Sequence, residues 1–535
     1  MGERAHRHGA IISPTNASEA LSGNPIFYLK NVPPSGSGIE LKGKGAQLYF
    51  GENLPGYVIV KAKSDEFNYV RPGQSDAQTR YSGKDGVKVS NIFKRAAFAL
   101  RFGDINALIS GQISSNSKVI FIRDVRERVS KLAPFLSFDR DPYPAVINNR
   151  VVWILDGYTT SGRYPYAQFS DSSGGIPGDV NYVRNSVKAT VDAYNGTVRF
   201  YIVDHHDPLI RAYQKAFPDL FTDGKKAPDA LKAHYRYPQD LFRLQSDVFG
   251  KYHVTQARRF YQGTERWLRS PDPLAVTSSV VSEGTRTGRG AQRAPEISAT
   301  SPRQEPYYLN VRLPGSDPGF VLMQPYVPVS RGHQQTRLTA FITAKSDPGE
   351  YGKLEAFVMP QGTNVSGPVQ VANSIDSDDM IAQQFTLLDQ HGSQLVRGNI
   401  QLIPVGSSIV YVQPIYVRQQ SDQGFPQFRF VIAYTDGQTP KFADTVDHAL
   451  EQMFGITTPT PTPTPGPTPT PTPGNQTVRQ LLDAANKAFT DAETALKQGD
   501  LAEYQRLIGV AQKAVDQALQ LAGGTPSSTT TTTAP

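Results

Sequence analysis

Asp139 and Asp141 stand two residues apart in SFDRDPYP, and Asp156 follows in VVWILDGY. Carboxylates of this kind, drawn together by a fold, can divide general-acid and general-base work between them. The competing account is local: Asp139 and Asp141 cap the turn into Pro142, and Asp156 closes the strand VVWILD. His205-His206-Asp207 is the most metal-like group. Adjacent residues at a strand end point to opposite faces, so two neighbouring imidazoles rarely share one ion. A turn after a strand explains them, and no metal is assigned. Asp376, Asp378 and Asp379 resemble part of a calcium loop but lack the twelve-residue pattern with its central Gly and final Glu. A helix capped by Asp376 or Ser377, with the two following aspartates in its first turn, fits better. Arg123, Arg126 and Arg128 are the candidate anion site, because guanidinium pairs bidentately with phosphate or a lipid headgroup. Their alternative is an exposed face beside Glu127. No GxSxG, Walker A, HExxH or dinucleotide fingerprint occurs, so no cofactor is assigned.

The elements that must position these residues divide the chain in two. QLYF (47–50), YVIVKA (57–62), KVIFI (118–122) and VVWILDGYTT (151–160) read as strands, and residues 90–102 as a helix with Ser90 as N-cap and Gly103 as stop. Residues 179–204 read as helix, Asn195-Gly196 turn and strand. Residues 209–221 and 229–254 read as helical, with a break at Pro238. From 305 the pattern turns to strands: 307–313, 320–329, 338–346, 354–360, 399–405, 408–417 and 429–435. Helices at 377–392 and 444–455 interrupt and close that run.

The run PTPTPTPGPTPTPTP (459–473) holds eight prolines, six threonines and one glycine. Proline fixes φ and lacks an N–H, so an extended spacer of roughly 45 Å is expected. Beyond it, Val478, Leu481, Leu482, Ala485, Phe489, Ala492 and Leu496 recur at helical spacing, as do Tyr504, Leu507, Ile508, Ala511, Val515 and Leu519. Gly499, with Asp500 and Glu503, fits the link of an α-hairpin. The expected class is α+β, with a mixed helix/strand first half and a β-rich second half. The expected parts are a mixed domain at 1–280, an exposed loop at 281–304, a β-rich domain at 305–456, the Thr/Pro linker at 457–475, the hairpin at 476–522 and a disordered tail at 523–535.

Composition narrows the function class. The chain has 535 residues, net charge +7, no cysteine, 25 tyrosines and 26 phenylalanines. Disulfides, thiolate nucleophiles and iron–sulfur clusters are excluded. No dense basic stripe with interleaved aromatics is present, so nucleic acid is not an expected partner. No apolar run reaches the ~18 residues needed to span a bilayer, and the first twenty residues lack a signal-peptide core.

The stretches RERVSKLAPFLSFDRDPYP (126–144), YPQDLFRLQSDVFGKYHVT (237–255), EPYYLNVRLPG, DPGEYGKLEAFVMP and GSQLVRGNIQLIPVGSSIVYVQPIYV, with a final helical pair around ALKQGDLAEYQRL, resemble an uncharacterised bacterial family of integral membrane proteins. The resemblance implies several transmembrane helices followed by a large domain outside the membrane, with this chain matching the outer part from ERAHRHGAIISPTNA onward. It implies attachment to the cell membrane through an N-terminal region absent from this chain. The spacer and hairpin themselves argue for an interaction role, with an envelope lipid or protein as the hairpin's partner, alongside docking on the body or self-association. The resemblance carries no catalytic residues. The leading expectation is therefore a noncatalytic, extracytoplasmic binding, transport-related or scaffolding part of an envelope protein. The alternative is an envelope hydrolase using Asp139, Asp141 and Asp156. A pocket gathering carboxylates would favour the enzyme, and a groove lined by aromatics and arginines the binder.

Overall fold

A computed structural model of the chain describes residues 7–14, 18–19, 23–36, 38–105, 110–171, 174–263, 265–275, 302–329, 336–360, 362–390, 392–406, 408–419, 426–455, 478–497 and 501–521. The fold is α+β, as expected. Contacts gather Met1–Thr457 into one unit and Thr458–Pro535 into another.

The first unit holds three larger sheets. The first runs Ser137–Phe138, Arg150–Ser161, Tyr182–Asp192, Val198–Ile202 and Phe221–Asp223, with Tyr143–Ile147 also paired to Arg150–Ser161. All its pairs are antiparallel except the last, which the helix Pro208–Ala216 crosses over to make parallel. The expected helix at 179–194 is instead the strand Tyr182–Asp192. Six successive residues, Ser186–Val191, are buried. Both faces of this central strand are covered, so the alternation that marks a half-exposed strand is missing. The strand expected at 151–160 is Arg150–Ser161, so Asp156 lies within it and does not close it.

The second sheet runs Trp267–Arg269, Pro318–Pro328, Ala340–Lys345 and Leu354–Val358, with Tyr307–Arg312 also on Pro318–Pro328. The third runs Ser393–Arg397, Ser408–Gln419, Gln427–Thr435 and Lys441–Ala443, with Gln401–Val405 joined by a tight hairpin that sets Val405 opposite Ser408. These two sheets share a core in which Met323 and Phe341 meet Tyr411, Ile415 and Ile432. The helix expected at 377–392 begins at Asp379, and a further helix, Pro368–Asp376, precedes it. The closing helix is Val446–Phe454, capped by Thr445 and ended by Gly455.

The helix Gln239–Tyr252 joins the first sheet to the second. Leu241 and Phe242 pack with Tyr158 of the first sheet and with Leu322, Tyr326 and Ile342 of the second. Trp267–Arg269 then pairs with Pro328–Tyr326, so a strand that precedes residue 276 completes a sheet that follows residue 302.

The second unit contains the helices Val478–Lys497 and Leu501–Leu521. They pack together as the expected hairpin, with Leu481, Ala485, Ala488, Ala492, Ala511 and Ala518 buried. The link expected at Gly499 and Asp500, the Thr/Pro run and the tail at 523–535 lie outside the described residues.

Gly250 tests the close approach of the joining helix. Alanine normally stabilises a helix interior by up to ~1 kcal/mol over glycine. Here a Cβ would stand 2.5 Å from the Trp267 carbonyl oxygen, a backbone atom that cannot swing aside. Gly250→Ala is therefore expected to lower stability by about 1–3 kcal/mol, read as a drop in thermal midpoint. A rise would show that the helix and the strand Trp267–Arg269 are looser than described.

Candidate functional site

Asp156 and Lys188 face each other in register across the two long strands of the first sheet. Both are buried, and the Lys188 Nζ lies 2.5 Å from Asp156 Oδ1. The ammonium also donates to the Arg236 carbonyl at 3.0 Å and sits over the rings of Tyr235 and Tyr351 at 5.2 and 5.1 Å. Burial works against its charge, but Asp156 and the Tyr143 phenol outweigh that and hold its pKa above the ordinary lysine value. Lys188 is thus a fixed cation rather than a neutral amine.

Asp139 lies at the end of the first strand of that sheet. Its Oδ2 accepts from the Tyr158 hydroxyl at 2.5 Å and from the Asp240 N–H at 3.0 Å, and its Oδ1 from the Asp141 N–H at 3.0 Å. Pro238, the N-cap of Gln239–Tyr252, has no side-chain cap, so Asp139 supplies one from another strand. Burial, with Asp240 and Asp156 nearby, raises its pKa to about 6. Asp240, also buried, accepts from the N–H groups of Arg140 at 2.8 Å and Gly175 at 2.7 Å and from Arg243 at 2.8 Å. Gly174 has φ +58°, and a Cβ there would overlap the Asp240 carboxylate, so only glycine lets this loop close over it. Arg243 reaches on to Glu305, and Tyr308 donates to the Tyr237 carbonyl at 2.7 Å.

Asp141 stands apart from the other two carboxylates in kind. It is exposed and ion-paired to Arg236 at 2.8 Å. The Arg236 guanidinium is held over Tyr143 at 3.9 Å and Tyr308 at 4.9 Å. The three candidate aspartates therefore share a neighbourhood, but each has its own partners.

Beside them opens a cleft of 860 Å³. Tyr164, Tyr182, Tyr235, Tyr237 and Tyr351 line it, with Lys188 among its walls and Asn181, Asn185, Gln245, Arg184 and Asp204 supplying polar groups. Tyr164 stacks on Tyr182 with ring centroids 5.8 Å apart, and Asn181 holds the Tyr164 carbonyl at 2.8 Å. Burial and the neighbouring Asp207 push the Tyr182 pKa up to about 12, so its phenol stays protonated. Arg184 and Asp204 pair at 2.6 Å. Asp139, Asp141 and Asp156 are not among the lining residues.

The other candidates have structural partners. Asp207 is a buried cap: it accepts from Thr159, Ser186 and Tyr182 and from the N–H groups of Leu209 and Ile210, and despite burial these bonds lower its pKa. His205 pairs with Asp223 at 3.2 Å, while the His206 N–H is held by Asp204. Among the described residues no cluster of His, Asp and Glu could hold a metal. Asp378 caps the helix Asp379–Leu388, and Asp376 pairs with Arg397 at 2.8 Å. Arg126 and Arg128 belong to the helix Val125–Leu132, where neighbours two apart do not share a face. Arg123, Arg126 and Arg128 reach the separate carbonyls of Tyr49, Arg140 and Gly196, and Arg128 also pairs with Asp85. They do not form one anion site.

The matches to known proteins carry a family but no activity. Residues 5–388 match the model of an "Uncharacterised protein family (UPF0182)". A UPF0182 protein of Desulforamulus reducens is 36% identical over 510 residues, covering 93% of this chain and 51% of the relative. One from Trichodesmium erythraeum is 35% identical, covering 96% and 53%. One from Cupriavidus necator is 39% identical, covering 85% and 46%. This chain spans about half the length of these curated relatives. No solved structure matches. The chain belongs to the UPF0182 family.

Two expected outcomes check this site. Lys188→Met leaves Asp156 as an unpaired buried charge and should cost about 3–5 kcal/mol, whereas Lys188→Met with Asp156→Leu should recover most of that loss. Equal losses in single and double variants would show that the pair is not closed as described. The second outcome concerns Asp139, whose folded pKa of about 6 exceeds its unfolded value near 3.8. Its favourable contribution is full below the unfolded value and is lost as pH rises through the folded one. Wild type should lose stability relative to Asp139→Asn by an amount on the order of 2 kcal/mol between pH 4 and 7. Denaturant midpoints at the two pH values give that difference, and a difference that stays flat contradicts the assignment.

Proposed function

Starting from membership of UPF0182, we propose that this chain is a noncatalytic, ligand-binding extracytoplasmic part of a membrane-associated envelope protein, and that its cleft takes an envelope glycan. The observation that supports this most is the lining of the 860 Å³ cleft by five tyrosines among amide and charged groups. Sugar rings offer C–H faces to aromatic rings and hydroxyls to polar tips, and tyrosine provides both surfaces in one side chain. Lys188 is neutralised by Asp156, so the cleft floor carries no unbalanced charge to demand an ionic ligand.

The hydrolase alternative draws on the raised pKa of Asp139. Three donors already occupy that carboxylate, and it does not line the cleft. Among the described residues no helix is long and apolar enough to cross a membrane. Attachment is therefore proposed to lie in the part of the relatives that this chain does not cover.

Titration of the purified chain with chitohexaose, followed calorimetrically, tests the glycan reading. Saturable binding is expected, and Tyr164→Ala should weaken it at least tenfold at an unchanged melting temperature. No saturable heat with chitohexaose or with isolated envelope polysaccharide would sink the reading.

A further inference from the structure

The helix Ile92–Phe102, of sequence IFKRAAFALRF, buries none of its residues fully. It is nevertheless well fastened. Asn91, rather than the expected Ser90, caps its start by accepting from the Lys94 N–H, and Gly103 ends it at φ 65°. Along one edge, Phe102 stacks on Tyr57 with centroids 4.3 Å apart, and Phe98 meets Phe121 at 5.6 Å. Arg95 donates to the carbonyls of Val89 and Ile113. Just past the end, Asp104 accepts from the Tyr57 hydroxyl at 2.5 Å.

That anchoring leaves a second apolar face outward. Ile92, Phe93, Ala96 and Leu100 fall on one stripe by the 3.6-residue period. Ile92 is 58%, Phe93 82% and Leu100 87% exposed. A surface helix of a globular protein ordinarily turns its only apolar stripe inward. This helix has two, and the inner one alone holds it to the sheet. Lys94 and Arg101 are exposed on the side of the helix between the two stripes, the Arg101 guanidinium 5.2 Å from the Phe121 ring, and the helix carries three cations and no carboxylate. Lys88, on the adjoining strand, is exposed as well.

We infer that this helix docks on an anionic lipid surface, with Phe93 and Leu100 entering the acyl boundary and Lys94 and Arg101 meeting headgroup phosphates. Charge favours that occupant over a second copy of the chain, because self-association through this face would bring like charges together with no carboxylate on the helix to offset them. Bulky apolar anchors bordered by cations are what an interfacial helix needs. The contact deepens the membrane-side placement proposed above. It is distinct from the glycan reading, since the cleft residues take no part in it.

Co-sedimentation of the full chain with sucrose-loaded vesicles tests it, using phosphatidylcholine alone or with one quarter phosphatidylglycerol at about 0.15 M salt. The phosphatidylglycerol vesicles should retain the protein roughly tenfold better than phosphatidylcholine alone. Phe93→Asp with Leu100→Asp should reduce retention at least tenfold at an unchanged melting temperature, and Lys94→Glu should remove part of the preference for phosphatidylglycerol. Absence of wild-type sedimentation, or equal sedimentation of the double variant, overturns the inference. A dimer in analytical ultracentrifugation that Phe93→Asp/Leu100→Asp dissolves, without vesicle binding, assigns the face to a second copy and likewise overturns it. The vesicles report on the helix directly. Failure here leaves the cellular placement to be judged by membrane fractionation of the native protein.

Discussion

A lysine with no exposed surface must find an anion or give up its proton, and Lys188 finds Asp156. Much of the first unit follows from that demand. The pair exists only because two long strands run antiparallel in a register that sets these residues opposite one another. The remaining ammonium donors need oxygen and π faces, which the segment around Tyr235 and Arg236 and the turn bearing Tyr351 deliver from outside the sheet. Tyr235 and Arg236 follow the first sheet in the chain, and Tyr351 lies in the turn between the second sheet's strands Ala340–Lys345 and Leu354–Val358. Satisfying one cation therefore draws together segments far apart in sequence, and the tyrosines that enclose it also wall the cleft.

The second tie is the joining helix Gln239–Tyr252. The Asp240 N–H in its first turn is met by the carboxylate of Asp139, and the Asp240 side chain holds two loops through their backbone N–H groups. Arg243 on the same helix extends the network to Glu305, at the start of the second half. Removing a single member would leave other buried polar groups unpaired, so the cost falls on the seam as a whole. The cleft lies along this seam, where tyrosines from both halves converge.

The second half was more legible in the sequence than the first. Strands such as Gln427–Thr435 and Ser408–Gln419 carry dense runs of β-branched and aromatic residues, and the hairpin between Val405 and Ser408 is announced by its glycine. The strand Tyr182–Asp192 was missed because burial on both faces erases the period of two, and its alanine and polar residues read as helix formers. That error hid the site. Asp156 was recognisable as a carboxylate of interest, but its partner could be found only through a register set across the intervening residues 162–181, which no local pattern encodes. Asp240 escaped because its role, receiving N–H groups from Arg140 and Gly175, is entirely tertiary. The Gly174-Gly175 pair was the one local sign that a backbone passes close to something there.

The strand Trp267–Arg269 hydrogen-bonds to Pro318–Pro328, although residues 276–301 intervene between the two halves. The attachment of the halves thus does not depend on the peptide that links them. Leu241 and Phe242 against Leu322 and Ile342, Arg243 with Glu305, and the Tyr308 hydroxyl on the Tyr237 carbonyl all cross the same boundary. Two polypeptides produced separately, one ending at Ala275 and the other starting at Pro302, would carry complementary edges of one sheet and both sides of one core. Each would expose the surface that the other covers. The cohesion of the two halves resides in the strand pairing and the core that they share.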